Sequence, residues 1–166
     1  MVQTARTEAD ARRVLAQVTD PEIPVLTIED LGVLRDVRVD GDRVVVTVTP
    51  TYSGCPAMDE ICADVDSALR RDGWREVEVR TALSPAWTTD WMSDDGRRKL
   101  REFGIAPPGP RAPGPVLVPL GRRPSVECPQ CGSADTEELS RFASTSCKSM
   151  WRCCACREPF DHFKAH

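Results

Sequence analysis

Hydrophobic positions with helical spacing predict a first helix near the start of the chain. Thr7 and Asp10 form a weak capping box at its beginning, and Thr19-Asp20-Pro21 marks its end. One face of this helix carries the apolar side chains of Ala11, Val14, Leu15 and Val18.

After the first helix, alternation of apolar and polar side chains predicts three short strands between residues 33 and 81. The runs 33–39 and 43–49 are rich in β-branched residues and flank Asp40-Gly41-Asp42, a strong hairpin signal. The hairpin should bury Val44, Val46 and Val48, and a third strand is predicted from the alternation of Val77, Val79 and Thr81.

Two more helices are predicted around this third strand. Residues 57–71 repeat apolar side chains every three to four positions and end before Gly73. Residues 93–103 begin with Ser93 as an N-cap and end at Gly104. The first part of the chain is therefore predicted to be an α+β domain, a small sheet with helices on one face.

A segment rich in proline and glycine, residues 104–124, divides the chain. Its prolines favour a semi-rigid extended spacer, although Val116-Leu117-Val118 could pack on one of the domains. With 166 residues, 40% of them hydrophobic and 29% charged, the chain is long enough for one domain of about 100 residues and a smaller one. The predicted organisation is a domain over 1–103, a linker over 104–124 and a second domain over 125–166.

Two Cys-x-x-Cys pairs in the tail, Cys128 with Cys131 and Cys153 with Cys156, have the spacing of a zinc ribbon. Zinc binds four thiolates tetrahedrally, and the intervening residues suit a hairpin that returns the second pair to the first. Gly132 can take a positive φ after the second ligand. A small zinc-ribbon β domain is therefore predicted, because metal binding can replace the apolar core that so short a tail lacks.

Alternatives remain open for the tail cysteines. Reduced structural thiols or a disulfide pair would use the same residues, and iron in a rubredoxin-like site would show the same spacing. Cys154 adjoins Cys153, but only Cys153 has the correct spacing to Cys156, so Cys154 and Cys147 are predicted not to be ligands.

Charge and hydropathy narrow the class of protein. The net charge of -4 argues against broad attraction to nucleic acid, and the ribbon itself is close to neutral, so a nucleic-acid-binding zinc ribbon is a minor alternative. No apolar run has the length of a signal peptide or a membrane span. We therefore expect a cytoplasmic protein without a membrane partner, whose cysteines are thiols or metal ligands.

Cys55 lies at the turn between the valine-rich strand and the following helix. Gly54 allows a sharp turn, Pro56 suits a first helical position, and unpaired N–H groups at a helix N-terminus would lower the pKa of a thiol there. Cys55 could be a nucleophile, a redox thiol or an iron ligand, and the alternative is a buried, inert thiol. Cys62, on the apolar face of the same helix, is expected in the core. The histidines, His162 and His166, both belong to the tail, so a Cys-His hydrolase is not favoured.

Two carboxylates, Asp20 and Glu22, stand in the Pro-rich turn after the first helix. They could be paired acidic groups near a site. The alternative, which we favour from the residues alone, is a proline-fixed turn in which Asp20 caps neighbouring backbone.

Several segments resemble known families. Residues 20–33 (DPEIPVLTIEDLGV) and 54–57 (GCPA) are similar to the iron-sulfur cluster assembly domain of SufT-like factors. Residues 84–92 (SPAWTTDWM), 104–108 (GIAPP) and 158–164 (EPFDHFK) resemble the D-subunit family of phenylacetyl-CoA epoxidase, also called the phenylacetate-CoA oxygenase J subunit. The resemblance covers nearly the full chain.

This resemblance implies an accessory protein of aerobic phenylacetate catabolism that is not itself an enzyme. The chain lacks the paired Glu-x-x-His segments of a di-iron bundle and any nucleotide-binding glycine loop. By resemblance, Cys55 handles an iron-sulfur species with Asp20 and Glu22 beside it, and the partners are the oxygenase and reductase subunits. The ribbon zinc would be structural.

A stable cluster usually needs four thiolates, but the first domain contains only Cys55 and Cys62. Any cluster should therefore be transient, shared in a homodimer or completed by the recipient. Trp87 and Trp91 could form a docking surface, since tryptophan is enriched at interface hot spots, or could close the domain core. An alternative function is a structural adaptor that joins oxygenase and reductase, with Cys55 only a packed turn residue.

Overall fold

A computed structural model describes residues 6–109 and 125–165. The chain forms two compact units, Met1–Gly96 and Arg97–His166. No helix of the described segments is long and apolar enough to cross a membrane.

The first helix, α1, spans Glu8–Leu15 and begins at the predicted capping box. The backbone N–H of Asp10 bonds to Thr7 Oγ1, and the Asp10 carboxylate accepts the Thr7 N–H at 3.0 Å. The prediction that α1 continues to Thr19 is wrong. The backbone N–H of Val18 donates to the carbonyl of Leu15 at 3.0 Å, three residues back, so the chain tightens into turns before Pro21.

A three-stranded sheet forms the centre of the first unit. Its strands are β1 (Leu34–Asp40), β2 (Arg43–Val48) and β3 (Glu76–Thr81), in the order β1-β2-β3. β1 and β2 are the predicted antiparallel hairpin, whereas β3 runs parallel to β2. A parallel neighbour requires a crossover, and the chain makes it through helix α2, Ala57–Arg71, whose bounds are those predicted.

The core of this unit lies between the sheet and the helices. Val44, Val46 and Val48 are fully buried on one face of β2. Helix α2 contacts α1 and β3, and α1 also contacts β1. The buried side of α2 consists of Ala57, Met58, Ile61, Val65 and Leu69. The predicted α+β architecture is confirmed.

A short 3-10 helix, Thr89–Trp91, precedes α3, Asp94–Glu102. Ser93 is the predicted N-cap of α3, since its Oγ accepts the backbone N–H of Gly96 at 2.9 Å. Sequence reasoning located this helix to within one residue at each end.

The second unit contains a four-stranded sheet in the order β4-β7-β6-β5. The hairpin β5 (Thr136–Ser140) and β6 (Lys148–Cys153) is antiparallel, as is the pair of β6 with β7 (Pro159–Phe163). β4 (Ile105–Ala106) runs parallel to β7, so the first residues of the predicted linker belong to this sheet. Residues 110–124 of the linker, including Val116-Leu117-Val118, lie outside the described residues.

Candidate functional site

The sulfurs of the four predicted ligands converge in the second unit. Cys128, Cys131, Cys153 and Cys156 place their Sγ atoms within 4.8 Å of one another. The distance from Cys128 Sγ to Cys156 Sγ is 3.8 Å, and that from Cys131 Sγ to Cys153 Sγ is 3.5 Å. A tetrahedral zinc with Zn–S bonds of about 2.3 Å separates its sulfurs by about 3.8 Å. The residues present therefore fit zinc.

Backbone hydrogen bonds shape the two turns that carry these thiols. In the first turn, the Gly132 N–H donates to the carbonyl of Cys128 at 2.9 Å, and Gly132 has the expected positive φ of 75°. In the second, Cys153 ends strand β6, and the N–H of Cys156 points to Cys153 Sγ at 3.5 Å. Each turn thus presents two sulfurs to one point.

Apolar packing encloses one side of the metal site. Ala106, Trp151 and Phe160 form a buried cluster with Cys128 and Cys153, which are 1% and 0% exposed. Ala106 comes from β4, Trp151 from β6 and Phe160 from β7, so the small sheet and the metal ligands share one core. Such a closed site is typical of structural zinc.

The protonation of the thiols explains why this site favours a bound cation. Hydrogen bonding from the backbone N–H of Cys156 lowers the pKa of Cys153 to about 6. The N–H of Glu158 also lowers the pKa of Cys156, but burial and the facing sulfurs outweigh it and raise that pKa to about 12. One thiolate therefore opposes ionisation of its neighbours, and a divalent metal removes that repulsion.

The other two tail cysteines lie outside the four-sulfur cluster. Cys154 is exposed, and its backbone N–H donates to the carbonyl of Asp135 at 2.8 Å. Cys147 is buried, with its sulfur 3.0 Å from Thr145 Oγ1. Neither contributes to the described cluster, as the Cys-x-x-Cys spacing predicts.

Cys55 occupies the turn between β2 and α2, as predicted. Gly54 has φ of 80°, and the N–H of Cys55 donates to the carbonyl of Tyr52 at 3.2 Å. Pro56 is the N-cap of α2 rather than its first helical residue, although its backbone is already helical. Cys55 is partly exposed rather than buried.

A small cavity of about 110 Å³ adjoins this turn. The segment 49–53 forms one wall, and Leu83, Ala86 and Trp87 form the other. Leu83 is 64% exposed at the cavity. The Trp-containing segment is therefore packed against the loop that leads into Cys55.

Trp87 and Trp91 differ in environment. Trp87 is 4% exposed, and its indole N–H donates to the carbonyl of Leu31 at 2.9 Å. Of the two roles predicted for Trp87, docking surface and closure of the core, its burial is that of core closure. Trp91 is partly exposed and carries the guanidinium of Arg35 over its ring, 3.5 Å from the ring centroid.

Asp20 organises the turn after α1. Its Oδ1 accepts the backbone N–H groups of Glu22 at 2.9 Å and Ile23 at 2.7 Å, and the residue is 6% exposed. The turn also pairs the Asp20 N–H with the carbonyl of Leu26 at 2.9 Å. These bonds are those of the capping alternative, while Glu22 is partly exposed beside them.

Cys62 is partly buried on α2 rather than fully enclosed. Burial raises the pKa of its thiol. In contrast to the tail thiols, it belongs to no group of three or more clustered metal-binding side chains in the described segments.

Comparison with known proteins decides the family. Residues 8–81 match the iron-sulfur cluster assembly protein family, and residues 112–164 match the PaaD zinc beta ribbon domain. The chain is 49% identical over 150 residues to the D subunit of the "Putative 1,2-phenylacetyl-CoA epoxidase" of Escherichia coli K12. That alignment covers 90% of this chain and 88% of the relative. The chain belongs to the phenylacetyl-CoA epoxidase D-subunit family.

The first unit of this D-subunit family member is also similar to separate proteins. An Fe-S protein maturation auxiliary factor of Porphyromonas gingivalis is 39% identical over 97 residues, which cover 57% of this chain and 91% of that protein. The crystal structure of a DUF59 domain of unknown function from Bacillus anthracis matches with a TM-score of 0.53 at 32% identity. This match covers 56% of this chain and 90% of the Bacillus chain.

A conserved hypothetical protein from Thermotoga maritima matches with a TM-score of 0.51 at 31% identity, over 60% of this chain and 98% of the Thermotoga chain. These matches confirm the fold of the assembly domain, and the ribbon match together with the four clustered sulfurs confirms a zinc ribbon.

Sequence reasoning missed a buried polar network at Asp30. Asp30 is 7% exposed; its carboxylate accepts the Thr27 N–H at 3.1 Å and the Ser93 hydroxyl at 3.1 Å. Thr27 Oγ1 in turn accepts the Asp30 N–H at 3.0 Å. The Thr-x-x-Asp spacing within the DPEIPVLTIEDLG segment is a capping-box signal that could have identified it. In this D-subunit family member, Asp30 joins that segment to the start of α3.

Proposed function

We propose that this protein is an accessory component of a phenylacetyl-CoA epoxidase system that assembles iron-sulfur clusters or matures the partner subunits that need them. The observation that carries the proposal is the presence of an iron-sulfur cluster assembly domain and a PaaD zinc ribbon in one chain. The 49% identity to a protein named as a D subunit of the epoxidase supports the system, and the likeness to an Fe-S maturation factor supports the task.

Cys55 is the residue we assign to the cluster. It is a partly exposed thiol at the end of a sharp turn, and the first helical turn of α2 follows it. Thiolates are the ordinary protein ligands of iron-sulfur clusters. Asp20 acts on this proposal as polar support for its turn, because its Oδ1 accepts two backbone N–H groups. We propose that Glu22, partly exposed in the same turn, faces incoming iron.

The cluster is cargo rather than a resident cofactor. Met1–Gly96 contains only two cysteines, Cys55 and Cys62, and a cluster usually has four protein ligands. The missing ligands must come from the recipient or from a second copy of this chain. We propose the oxygenase and reductase subunits as recipients, and a homodimer as the state that holds a cluster between transfers.

The ribbon zinc holds the tail together and performs no chemistry on this proposal. Four sulfurs fill a tetrahedral zinc, which leaves no open position for substrate. We therefore assign no catalysis to the chain and place it in the cytoplasm, where thiols remain reduced.

Co-expression with the oxygenase and reductase subunits tests the proposal. We expect the Cys55→Ser variant to lower the iron-sulfur content of the partners and their epoxidation of phenylacetyl-CoA at least tenfold. The matched control is Cys62→Ser, which removes the other thiol of the same unit and should leave both quantities unchanged. Full partner maturation with Cys55→Ser would refute the assembly role and favour an adaptor that joins oxygenase and reductase.

A further inference from the structure

Strand β3 forms an open edge of the sheet in the first unit. It stands last in the order β1-β2-β3 and, in the described segments, pairs with β2 alone. The backbone N–H groups of Glu76 and Ala82 donate toward β2, to the carbonyls of Asp42 and Val48. Backbone groups alternate in direction along a strand. The odd-numbered residues between these donors therefore point their N–H and C=O groups to the open edge: Val77, Val79 and Thr81.

This edge is more regular than the other sheet edges of the described segments. β1 and β5 each contain a register irregularity, and β4 has only two residues. β3 keeps six consecutive pairs with β2 and contains neither proline nor glycine. Bulges, prolines and very short strands protect sheet edges from pairing with another chain. β3 lacks these features, so its edge is suited to an added strand.

Charged side chains line one face of β3. Glu78 contacts Arg80 of its own strand and Arg43 of β2, each at 2.6 Å, so these three side chains share a face. Glu76 lies on the same face, two residues before Glu78. Charges at an edge exclude strands with like charges and admit strands with complementary ones. β3 carries both signs, so a second copy of β3 can complement it.

One register of a symmetric β3 pair opposes unlike charges. Such a pair is antiparallel, and opposed side chains lie on the same face of the joined sheet. Centred on Val79, each Glu78 opposes the second copy's Arg80, and Glu76 lies diagonal to that arginine. Centred on Glu78 or Arg80, the pair opposes identical charges, and centred on Val77 it opposes Glu76 with Glu78. Unlike charges on opposed positions stabilise a strand pair and like charges destabilise it.

We propose that this protein forms a symmetric homodimer through β3, in which two three-stranded sheets join into one about Val79. Val79 then exchanges both backbone hydrogen bonds with its counterpart, and Val77 does so with the second copy's Thr81, so the outward groups of the edge are satisfied. The side chains of Val77 and Val79, only partly buried in one copy, become more buried. Removal of this apolar surface from water favours association.

The β3 dimer keeps the two Cys55 thiols apart. β3 is parallel to β2, so β3 ends at the same end of the sheet from which β2 leads to Cys55. Antiparallel β3 strands place these ends on opposite sides of the two-fold axis. Each copy thus presents its own Cys55 turn to a recipient, and a cluster held between two copies would use a different contact. The inference therefore does not rest on the proposed function.

Charge exchange between copies tests the contact in the full-length, zinc-loaded chain. Sedimentation equilibrium measures the dimer Kd, which we expect to rise at least tenfold in Glu78→Arg and in Arg80→Glu. The first variant opposes two arginines at each position, and the second opposes two glutamates. An equimolar mixture of the two variants should dimerise again, because unlike charges then oppose each other at both positions. This restoration also shows that both variants are folded.

Arg38→Glu is the matched control for Arg80→Glu. Arg38 is likewise paired with a carboxylate two residues before it, Asp36 at 2.7 Å, but lies on β1 at the other edge of the sheet. It should leave the dimer Kd unchanged. Cys55→Ser should dimerise like the wild type, whereas its iron and sulfide content tests the proposed function separately.

Amide hydrogen exchange of the wild type tests the same contact without any substitution. Exchange at residues 77, 79 and 81 should slow as the protein concentration rises through the dimer Kd. A chain that stays monomeric would overturn the inference, as would a dimer without this protection. A mixture of Glu78→Arg and Arg80→Glu that fails to dimerise would also overturn it, and so would an effect of Arg38→Glu as large as that of Arg80→Glu.

Discussion

Gly32 lies directly against the backbone of Trp91. A Cβ on Gly32 would come within 2.5 Å of the Trp91 carbonyl oxygen and 2.7 Å of the Trp91 Cβ. Gly32 also has φ of 73°, in the left-handed region that side chains disfavour. Two independent constraints therefore require glycine where the chain enters β1.

Replacing Gly32 should be costly for the first unit. We expect Gly32→Ala to lower the free energy of unfolding by about 3 kcal/mol or more, because backbone strain adds to a clash with backbone atoms that cannot rotate away. Gly41→Ala is the control, since Gly41 has φ of 59° but a Cβ added there would meet no heavy atom within 4 Å, and it should cost about 1 kcal/mol. Chemical denaturation measures both, and equal losses would contradict the close contact.

The four-sulfur site predicts which cysteines hold zinc. Serine at Cys128, Cys131, Cys153 or Cys156 should reduce bound zinc from about one ion per chain to well below half, because a structural site needs all four thiolates. Cys154→Ser should retain full zinc, since Cys154 adjoins a ligand but lies outside the cluster. Elemental analysis after gel filtration gives the stoichiometry. Loss of zinc on Cys154→Ser would show that the ligand set is wrong.

Two substitutions of Asp20 distinguish the contribution of its hydrogen bonds from that of its negative charge. Asp20→Ala removes the acceptor of the Glu22 and Ile23 N–H groups and should destabilise the first unit by about 1–2 kcal/mol. Asp20→Asn keeps an acceptor oxygen and should cost less than half as much. Urea unfolding compares the two. If Asp20→Asn is as unstable as Asp20→Ala, the negative charge of Asp20, rather than its hydrogen bonds to the turn, contributes the stability.

His162 makes the ribbon sensitive to acid. Burial, followed by the positive charge of Lys164, lowers the pKa of His162 to about 4. The unfolded histidine titrates near pH 6.5, so below that pH the unfolded chain gains a proton that the folded chain refuses, and stability falls. His162 Nδ1 faces Ser149 Oγ at 3.3 Å, and this hydroxyl, which accepts the Trp151 indole N–H, still has its own proton to donate to a neutral imidazole.

We expect the free energy of unfolding of the zinc-loaded chain to fall by about 1–2 kcal/mol between pH 6.5 and 5 through His162. His162→Gln, which can keep a polar contact to Ser149 but does not titrate, should flatten this part of the profile. Zinc content measured at each pH excludes metal loss as the cause. An identical slope in the two proteins would refute the depressed pKa.

The elements and sites that could be predicted from the sequence are those that depend on residues close together in the chain. The spacing of apolar residues located α2 at Ala57–Arg71, and Cys-x-x-Cys spacing located the metal site, because both signals act over a few residues. The end of α1 was misplaced, since apolar Val18 is buried in the turn after the helix and so continues the periodic pattern.

Contacts between segments far apart in the chain could not be predicted from the local pattern of apolar and polar residues. The parallel pairing of β3 with β2 depends on a crossover, and the pairing of Ile105–Ala106 with β7 depends on the ribbon strands. The sequence left Trp87 open between a docking surface and the domain core, because its indole N–H donates to the carbonyl of Leu31, 56 residues away in the chain. The role of Cys55 stays a prediction, because position at a turn does not reveal which cargo a thiol carries.

Whether Cys55 handles an iron-sulfur cluster is tested most directly by the metal content of the chain. The wild-type chain and Cys55→Ser are purified anaerobically, and zinc, iron and acid-labile sulfide are measured per chain before and after cluster reconstitution. We predict equal zinc in both proteins and iron with sulfide in the wild type alone. Equal zinc with no iron or sulfide in either protein, even after reconstitution, would contradict a role of Cys55 in cluster handling.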